Sequence, residues 1–209
     1  MAAIHGYGLF LLASVLLNLT PGQDSLFIIG RSLSGGRSAG VAAACGIAVG
    51  SVCHTLAAAV GLSLLIATSA LAFTAVKLLG AAYLVYLGAR LLLAPAGAAA
   101  SPPGAAGAAR PRAAFVQGIL TNLLNPKVAL FFLAFLPQFV DPHGSSRTLA
   151  FLLLGASFIT TGLIWCLVLA YAAARLQRFF AANPSVRALL DRAVGALFLA
   201  LGVRLAWAR

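Results

Sequence analysis

Six stretches of this chain, roughly 4–30, 41–68, 71–93, 113–140, 148–174 and 189–207, are apolar over about 20 residues or more, and that run length leaves few folds open. A helix rising 1.5 Å per residue needs about 20 apolar residues to cross a hydrocarbon core of ~30 Å. None of the runs alternates with period two, and the turns between them are not spaced for the ten-residue strands of a membrane β-barrel. Within a bilayer every backbone polar group must be bonded inside the protein, so helices are what remain. The reading is an all-α integral membrane protein with six transmembrane helices, its solvent a lipid bilayer. Composition agrees: 62% of residues are hydrophobic and 8% charged, with mean hydropathy +1.04, against about 25% charged residues in a soluble domain. The first run has no basic residue before Arg31 and no small-residue cleavage site, and it is too long for a secretory signal, so it reads as the first spanning helix.

The formal charge of +11 would suggest nucleic acid in a soluble protein. Here the cations sit mainly between the apolar runs, so the membrane accounts for them and no nucleic-acid partner is expected. Arg31, Arg37, Arg90, Arg110, Arg112, Arg175, Arg178, Arg187 and Arg192 fall on one side, and Lys77, Arg147, Arg204 and Arg209 on the other. The positive-inside rule then makes the first side cytoplasmic and places both termini on the periplasmic side. Cys45, Cys53 and Cys166 all lie in apolar runs, where a free thiol packs as a small hydrophobe. Cys45 and Cys53 are about 12 Å apart along one helix, too far for a disulfide.

Residues 94–112 are rich in Ala, Pro and Gly and too broken by proline to hold a helix, so they read as a cytoplasmic linker between two halves, 1–93 and 113–209. The halves resemble each other. Lys77-x-x-Gly80-Ala81 followed by Leu87-Gly88-x-Arg90-Leu91 matches Arg192-x-x-Gly195-Ala196 followed by Leu201-Gly202-x-Arg204-Leu205. Asn18-Leu19-Thr20-Pro21 in run one likewise matches Asn122-Leu123-Leu124-Asn125-Pro126 in run four. With three spans per half, the second half enters the membrane from the opposite side, which makes an inverted repeat of the kind transporters use. Gly46-x-x-x-Gly50 in run two, and Gly155, Ser157 and Gly162 in run five, supply small surfaces for close helix contact within the monomer.

The chemistry is expected where runs one and four are interrupted, at Thr20-Pro21-Gly22-Gln23-Asp24 and at Asn122-x-x-Asn125-Pro126-Lys127. Proline breaks a helix but suits the first position of a new one. Thr20 then reads as an N-cap with Gln23 completing a capping box, and Asn125 as the cap of the second half-helix. Each break would leave a helix N-terminus in mid-membrane with free N–H groups and about half a positive charge, suited to a carboxylate. The predicted substrate-binding set is Asn18, Thr20, Pro21, Gly22, Gln23, Asp24, Asn122, Asn125, Pro126 and Lys127. Asp24 is the only acid deep inside a spanning run, Asp191 lying at the edge of run six. A charge there costs at least ~2.5–3.5 kcal/mol, so it reads as a ligand for a substrate ammonium or a carrier of protons, against the plainer role of neutralising the helix dipole and Lys127. Lys127, at a helix start, calls for an anion nearby, either Asp24 or the substrate. His54 is read as a proton-coupling residue or as a neutral histidine bonded between helices. Tyr83, Tyr86 and Trp165 serve the site or merely pack, and His5 and His143 lie near the outer boundary.

The sequence holds no Glu, no nucleophile motif, no His/Cys set with metal spacing and no phosphate loop, so neither an enzyme, a resident cofactor nor direct use of ATP is expected. The residues around both breaks, with Gly30-Arg31-Ser32-x-x-x-Gly36-Arg37-x-x-Gly40, Lys77-Leu78-x-Gly80-x-x-Tyr83-Leu84-x-Tyr86-Leu87-Gly88 and Phe135-Leu136-Pro137-Gln138-Phe139, resemble the LysE/RhtB family of amino-acid exporters. The likeness implies a secondary exporter of amino acids or related metabolites, driven by protons across the bacterial inner membrane. That family usually has proline where this chain has Gln23, which adds an amide at the first break. The rival readings are an inorganic-cation transporter built on Asp24 and a membrane-embedded enzyme using His54, Cys53 and Asp24. A homodimer is compatible with the sequence.

Overall fold

The structure is a computed structural model and describes residues 4–62, 74, 78, 81–82, 85–86, 89, 92–93, 110–142, 144 and 146–207. Among these residues the fold is helical, with no strand beyond one isolated bridge between Ile4 and Val140. The helices are α1 (Tyr7–Leu19), α2 (Gln23–Ala57), α3 (Pro111–Leu123), α4 (Pro126–Leu130), α5 (Arg147–Ala182) and α6 (Pro184–Trp207). A π turn, Ala58–Leu62, prolongs α2, and α4 runs on through a π turn, Phe131–Phe135, into a 3-10 turn, Leu136–Phe139. Gln23–Gly61, which is interrupted at Gly36, and Arg147–Ala173 each hold a stretch long and apolar enough to cross a membrane, and Pro111–Leu123 with Pro126–Phe139, bent by 47°, counts as a third where the bent pair is one span.

Gly36 reshapes α2. Its φ of 75° and ψ of −178° lie in a region open essentially to glycine alone, and the chain folds back there. Asp24 and Ser51 both hydrogen-bond the side chain of Asn122, whereas on a straight helix they would stand about 40 Å apart. The first arm, 23–35, therefore continues α1 across the first break, and the second arm, from 37 on, returns as a separate helix. The interval expected between runs one and two is thus a sharp turn centred on one glycine.

Packing fixes the directions. Gly155 abuts Thr55 and Gly40 abuts Ala170, so the second arm of α2 runs antiparallel to α5. Gly46 meets Phe115 and Gly50 meets Asn122, so that arm runs parallel with α3. Lys127 bonds the end of α1, Phe10 stacks on Phe131 and Phe135, and His5 bonds Phe139, so α1 runs antiparallel to the α4 segment. The two broken helices consequently cross the fold in opposite senses. Gly36, Arg37 and Ala114 mark one end of the bundle, and Ile4, His5 and Val140 the other. At the first end the Arg31 guanidinium lies 5.2 Å over the Phe27 ring and that of Arg37 6.0 Å over Tyr171.

Two buried clusters hold the bundle. Towards the Ile4 end, Phe10, Phe131, Phe132, Phe135, Phe139 and Phe158 pack as one aromatic group, with centroids as close as 4.7 Å between Phe131 and Phe158; offset and edge-on pairs add about 0.5–1.5 kcal/mol each beyond burial. Towards the Gly36 end the core is small-residue packing of Ala39, Ala43, Ala44, Ala114 and Ala170.

Two expectations change. The cationic stretch read as a loop before run six is helical, since α5 continues to Ala182 and α6 begins at Pro184, whose fixed φ suits a first turn. Cys45 and Cys53 are exposed rather than packed, and only Cys166 is buried, because residues eight apart share one helix face and that face of α2 points outward. The third run, with Lys77, Tyr83 and most of its repeat residues, lies largely outside the described residues, as do His143 and all of the 94–112 linker except 110–112.

Candidate functional site

The first break is built differently from its sequence reading. The Thr20 hydroxyl donates back to the Leu16 carbonyl at 2.8 Å, and its backbone N–H donates to the same oxygen, so Thr20 closes α1. Pro21 and Gly22 form the break itself, and α2 starts at Gln23 with Gly22 as N-cap and no side-chain cap. The expected Thr20–Gln23 capping box is absent because Gly22 is extended (φ −154°, ψ −168°), which sets α2 two residues beyond the Thr20 hydroxyl. Pro21 likewise precedes the helix instead of opening it. Gln23 is exposed and does not line the cavity described below.

The second break matches its sequence. Asn125 Oδ1 accepts from the Lys127 backbone N–H at 3.0 Å, and Pro126 takes the first helical position. Asn125 is 2% exposed and its Nδ2 has no hydrogen-bond partner. Pro126 is exposed.

The breaks meet. From the start of α4 the Lys127 ammonium reaches the end of α1 and donates to the Leu17 and Thr20 carbonyls, each at 3.1 Å. The last carbonyls of a helix lack partners inside it and carry about half a negative charge, so the end of α1 supplies an anion-like partner that the sequence reading did not weigh. The same geometry explains Gly22, where a Cβ would stand 3.1 Å from Lys127 Nζ.

Asn122, 1% exposed, is the hub of a polar network. Its Nδ2 donates to Asp24 Oδ2 at 2.8 Å, and its Oδ1 accepts from Ser51 Oγ at 3.3 Å. Its backbone carbonyl accepts from His54 Nε2 at 3.2 Å, and the His54 ring stacks on Phe132 at 5.7 Å. With both ends of its amide engaged, Asn122 orients Asp24. Gly50 makes the room, since a Cβ there would fall 2.7 Å from Asn122 Oδ1. Held on one side, the Asp24 carboxylate keeps Oδ1 buried and without a hydrogen-bond partner. A buried carboxylate with an unmet acceptor is costly unless something cationic visits it.

That carboxylate lines a cavity of about 40 Å³ between the two clusters. At roughly 10–15 Å³ per water it holds about three or four waters, too little room for an amino acid as it stands. Of the sequence-predicted residues, Asn18, Gly22, Asp24, Asn122 and Lys127 line it; Asn18 is held by a 3.2 Å bond to Thr161. Thr20, Pro21, Asn125 and Pro126 shape the breaks behind it, and His54 touches it only through Asn122. The sequence reading missed Ser25, Ser51 and Cys166, and left Trp165 undecided; all four line the cavity. Ser51 carried a usable signal, a small polar residue beside Gly50 in an apolar helix. Tyr86 is exposed.

A membrane protein of Pseudomonas aeruginosa, described as uncharacterized, is 34% identical over 208 residues, covering 98% of this chain and 96% of its own. One of Vibrio cholerae, described likewise, is 35% identical over 208 residues, covering 99% and 98%. The leucine efflux protein of Salmonella typhimurium is 29% identical over 210 residues, covering 97% and 95%. No solved structure gives a significant match. The family model described as LysE type translocator matches residues 15–209, and the chain, a membrane protein, belongs to that family.

Proposed function

We propose that the protein is a secondary exporter of neutral aliphatic amino acids across the bacterial inner membrane, exchanging substrate for protons at Asp24. The observation that carries this reading is the half-bonded Asp24 carboxylate on a cavity between two helix breaks. An amino acid brings one ammonium, one carboxylate and a side chain. Asp24 Oδ1 accepts from the ammonium. The N–H groups opening α2, with the Lys127 ammonium, favour the carboxylate. Leu17, Ile47, Phe158 and Leu163 give the side chain apolar walls, and the lining holds no second acid for a cationic side chain. The leucine efflux relative supports this substrate class.

Coupling follows from one carboxylate serving two cations. Asp24 releases its proton to accept the ammonium and is reprotonated after the substrate leaves, with Asn122 holding its other oxygen throughout. In this reading 1–93 and 113–209 form an inverted repeat joined by a cytoplasmic linker, both termini are periplasmic, and the two broken helices cross in opposite senses to suit it. The test is efflux from proteoliposomes loaded with leucine, valine, lysine or manganese under an imposed pH gradient. Leucine and valine should leave faster than from protein-free vesicles, and faster with the gradient. Efflux of manganese alone would instead favour the cation reading.

A further inference from the structure

We propose that the indole N–H of Trp165 is a substrate contact, donating a hydrogen bond to the carboxylate of the amino acid in the Asp24 cavity; this rests on the export reading above. The face of α5 that lines the cavity is Phe158, Ile159, Gly162, Leu163, Trp165 and Cys166, the spacing of one helical stripe. On that stripe the Trp165 N–H is the one strong donor. Its Nε1 is buried and has no hydrogen-bond partner. A tryptophan anchored at a membrane interface keeps its N–H wet. Trp165 does not, because it sits mid-way along α5, one turn beyond Thr161, the partner of Asn18.

The polar atoms of the cavity lining divide cleanly. Asn18 is committed to Thr161, and Asn122 to Asp24 and Ser51. Among the described residues, the buried side-chain polar atoms of the lining left without a hydrogen bond are Asp24 Oδ1 and Trp165 Nε1. One is an anionic acceptor and the other a neutral donor. Buried polar groups are ordinarily paired, and the ligand that pairs both carries a cationic donor and an acceptor, as a zwitterionic amino acid does. Trp165 thereby selects for the carboxylate, while Asp24 selects for the ammonium.

Trp165→Phe keeps an aromatic ring and deletes the N–H. In leucine-loaded proteoliposomes the variant should raise the KM for leucine about ten- to a hundredfold, the worth of one hydrogen bond to a charged group. Inhibition by 3-methylbutylamine, which is leucine without its carboxylate, should be unchanged. An unchanged KM for leucine would overturn the assignment, as would equal weakening of leucine and the amine, which marks damaged packing. Should the variant fold poorly, Trp165 reports directly in a Trp207→Phe background, Trp165 and Trp207 being the two tryptophans of the chain. Leucine should change its fluorescence and the amine should not; no response to leucine would also overturn the assignment. Absence of leucine efflux from the wild type, by contrast, would overturn the export reading itself.

Discussion

Asp24→Asn should reach the membrane in normal amounts and lose nearly all pH-gradient-driven leucine efflux, a fall of about a hundredfold for removal of the one acidic ligand. The substitution keeps size and the bond to Asn122, since the new amide oxygen accepts from Nδ2 as Asp24 Oδ2 does. What changes is the free end, which can no longer ionise. The alternative role, neutralising Lys127, is separated by a second variant. If Asp24 serves chiefly to balance that cation, Asp24→Asn with Lys127→Gln removes both charges together and should recover activity. No recovery is expected, because Lys127 is also held by the Leu17 and Thr20 carbonyls. Gradient-driven leucine efflux at the wild-type rate by the double variant would remove Asp24 from coupling.

Gly46→Ala should be the most damaging single methyl group in the fold. The second arm of α2 and α3 form its most extensive seam, and a Cβ at Gly46 would press into the backbone carbonyl of Phe115. Across the seam a Cβ at Gly118 would stand 2.6 Å from the Ala43 carbonyl. Backbone atoms cannot rotate aside, so the helices must separate, and overpacking of this kind costs about 1–3 kcal/mol. At about 2–4 °C per kcal/mol for a chain of this size, the Tm in detergent should fall by roughly 2–12 °C. Gly61→Ala, with nothing within 4 Å of its added methyl, is the control and should leave the Tm in place. Equal Tm values for both variants would show that the seam is looser than described.

The parts of this fold legible in the sequence are those decided over a few residues. Asn125-Pro126 capped its helix as read, because an N-cap side chain reaches a backbone N–H two residues on and proline fixes the start. Gly46-x-x-x-Gly50 announced a close helix contact, though not its partner. Thr20 misled because its hydroxyl had two targets within reach, the coming N-terminus and the preceding turn. The extended backbone of Gly22 decided between them, and nothing local encodes that choice. The reversal between runs one and two was legible, but not its centring on the single residue Gly36. Ser51, Trp165 and the bond between Asn122 and Asp24 depend on helices distant in sequence arriving at one level. The same holds for Lys127, whose capping of α1 joins residues 107 and 110 positions apart.

Cys166 reports whether substrate sits in the cavity between the two breaks. It lines that cavity and is 8% exposed, so a thiol reagent reaches it only as the helices part. In a variant with Cys45 and Cys53 replaced by serine, alkylation of Cys166 in proteoliposomes should be slowed several-fold by saturating leucine, and Asp24→Asn in the same background should abolish that protection. Alkylation at the same rate with and without leucine, in protein that still exports leucine, would place the substrate elsewhere and contradict the account.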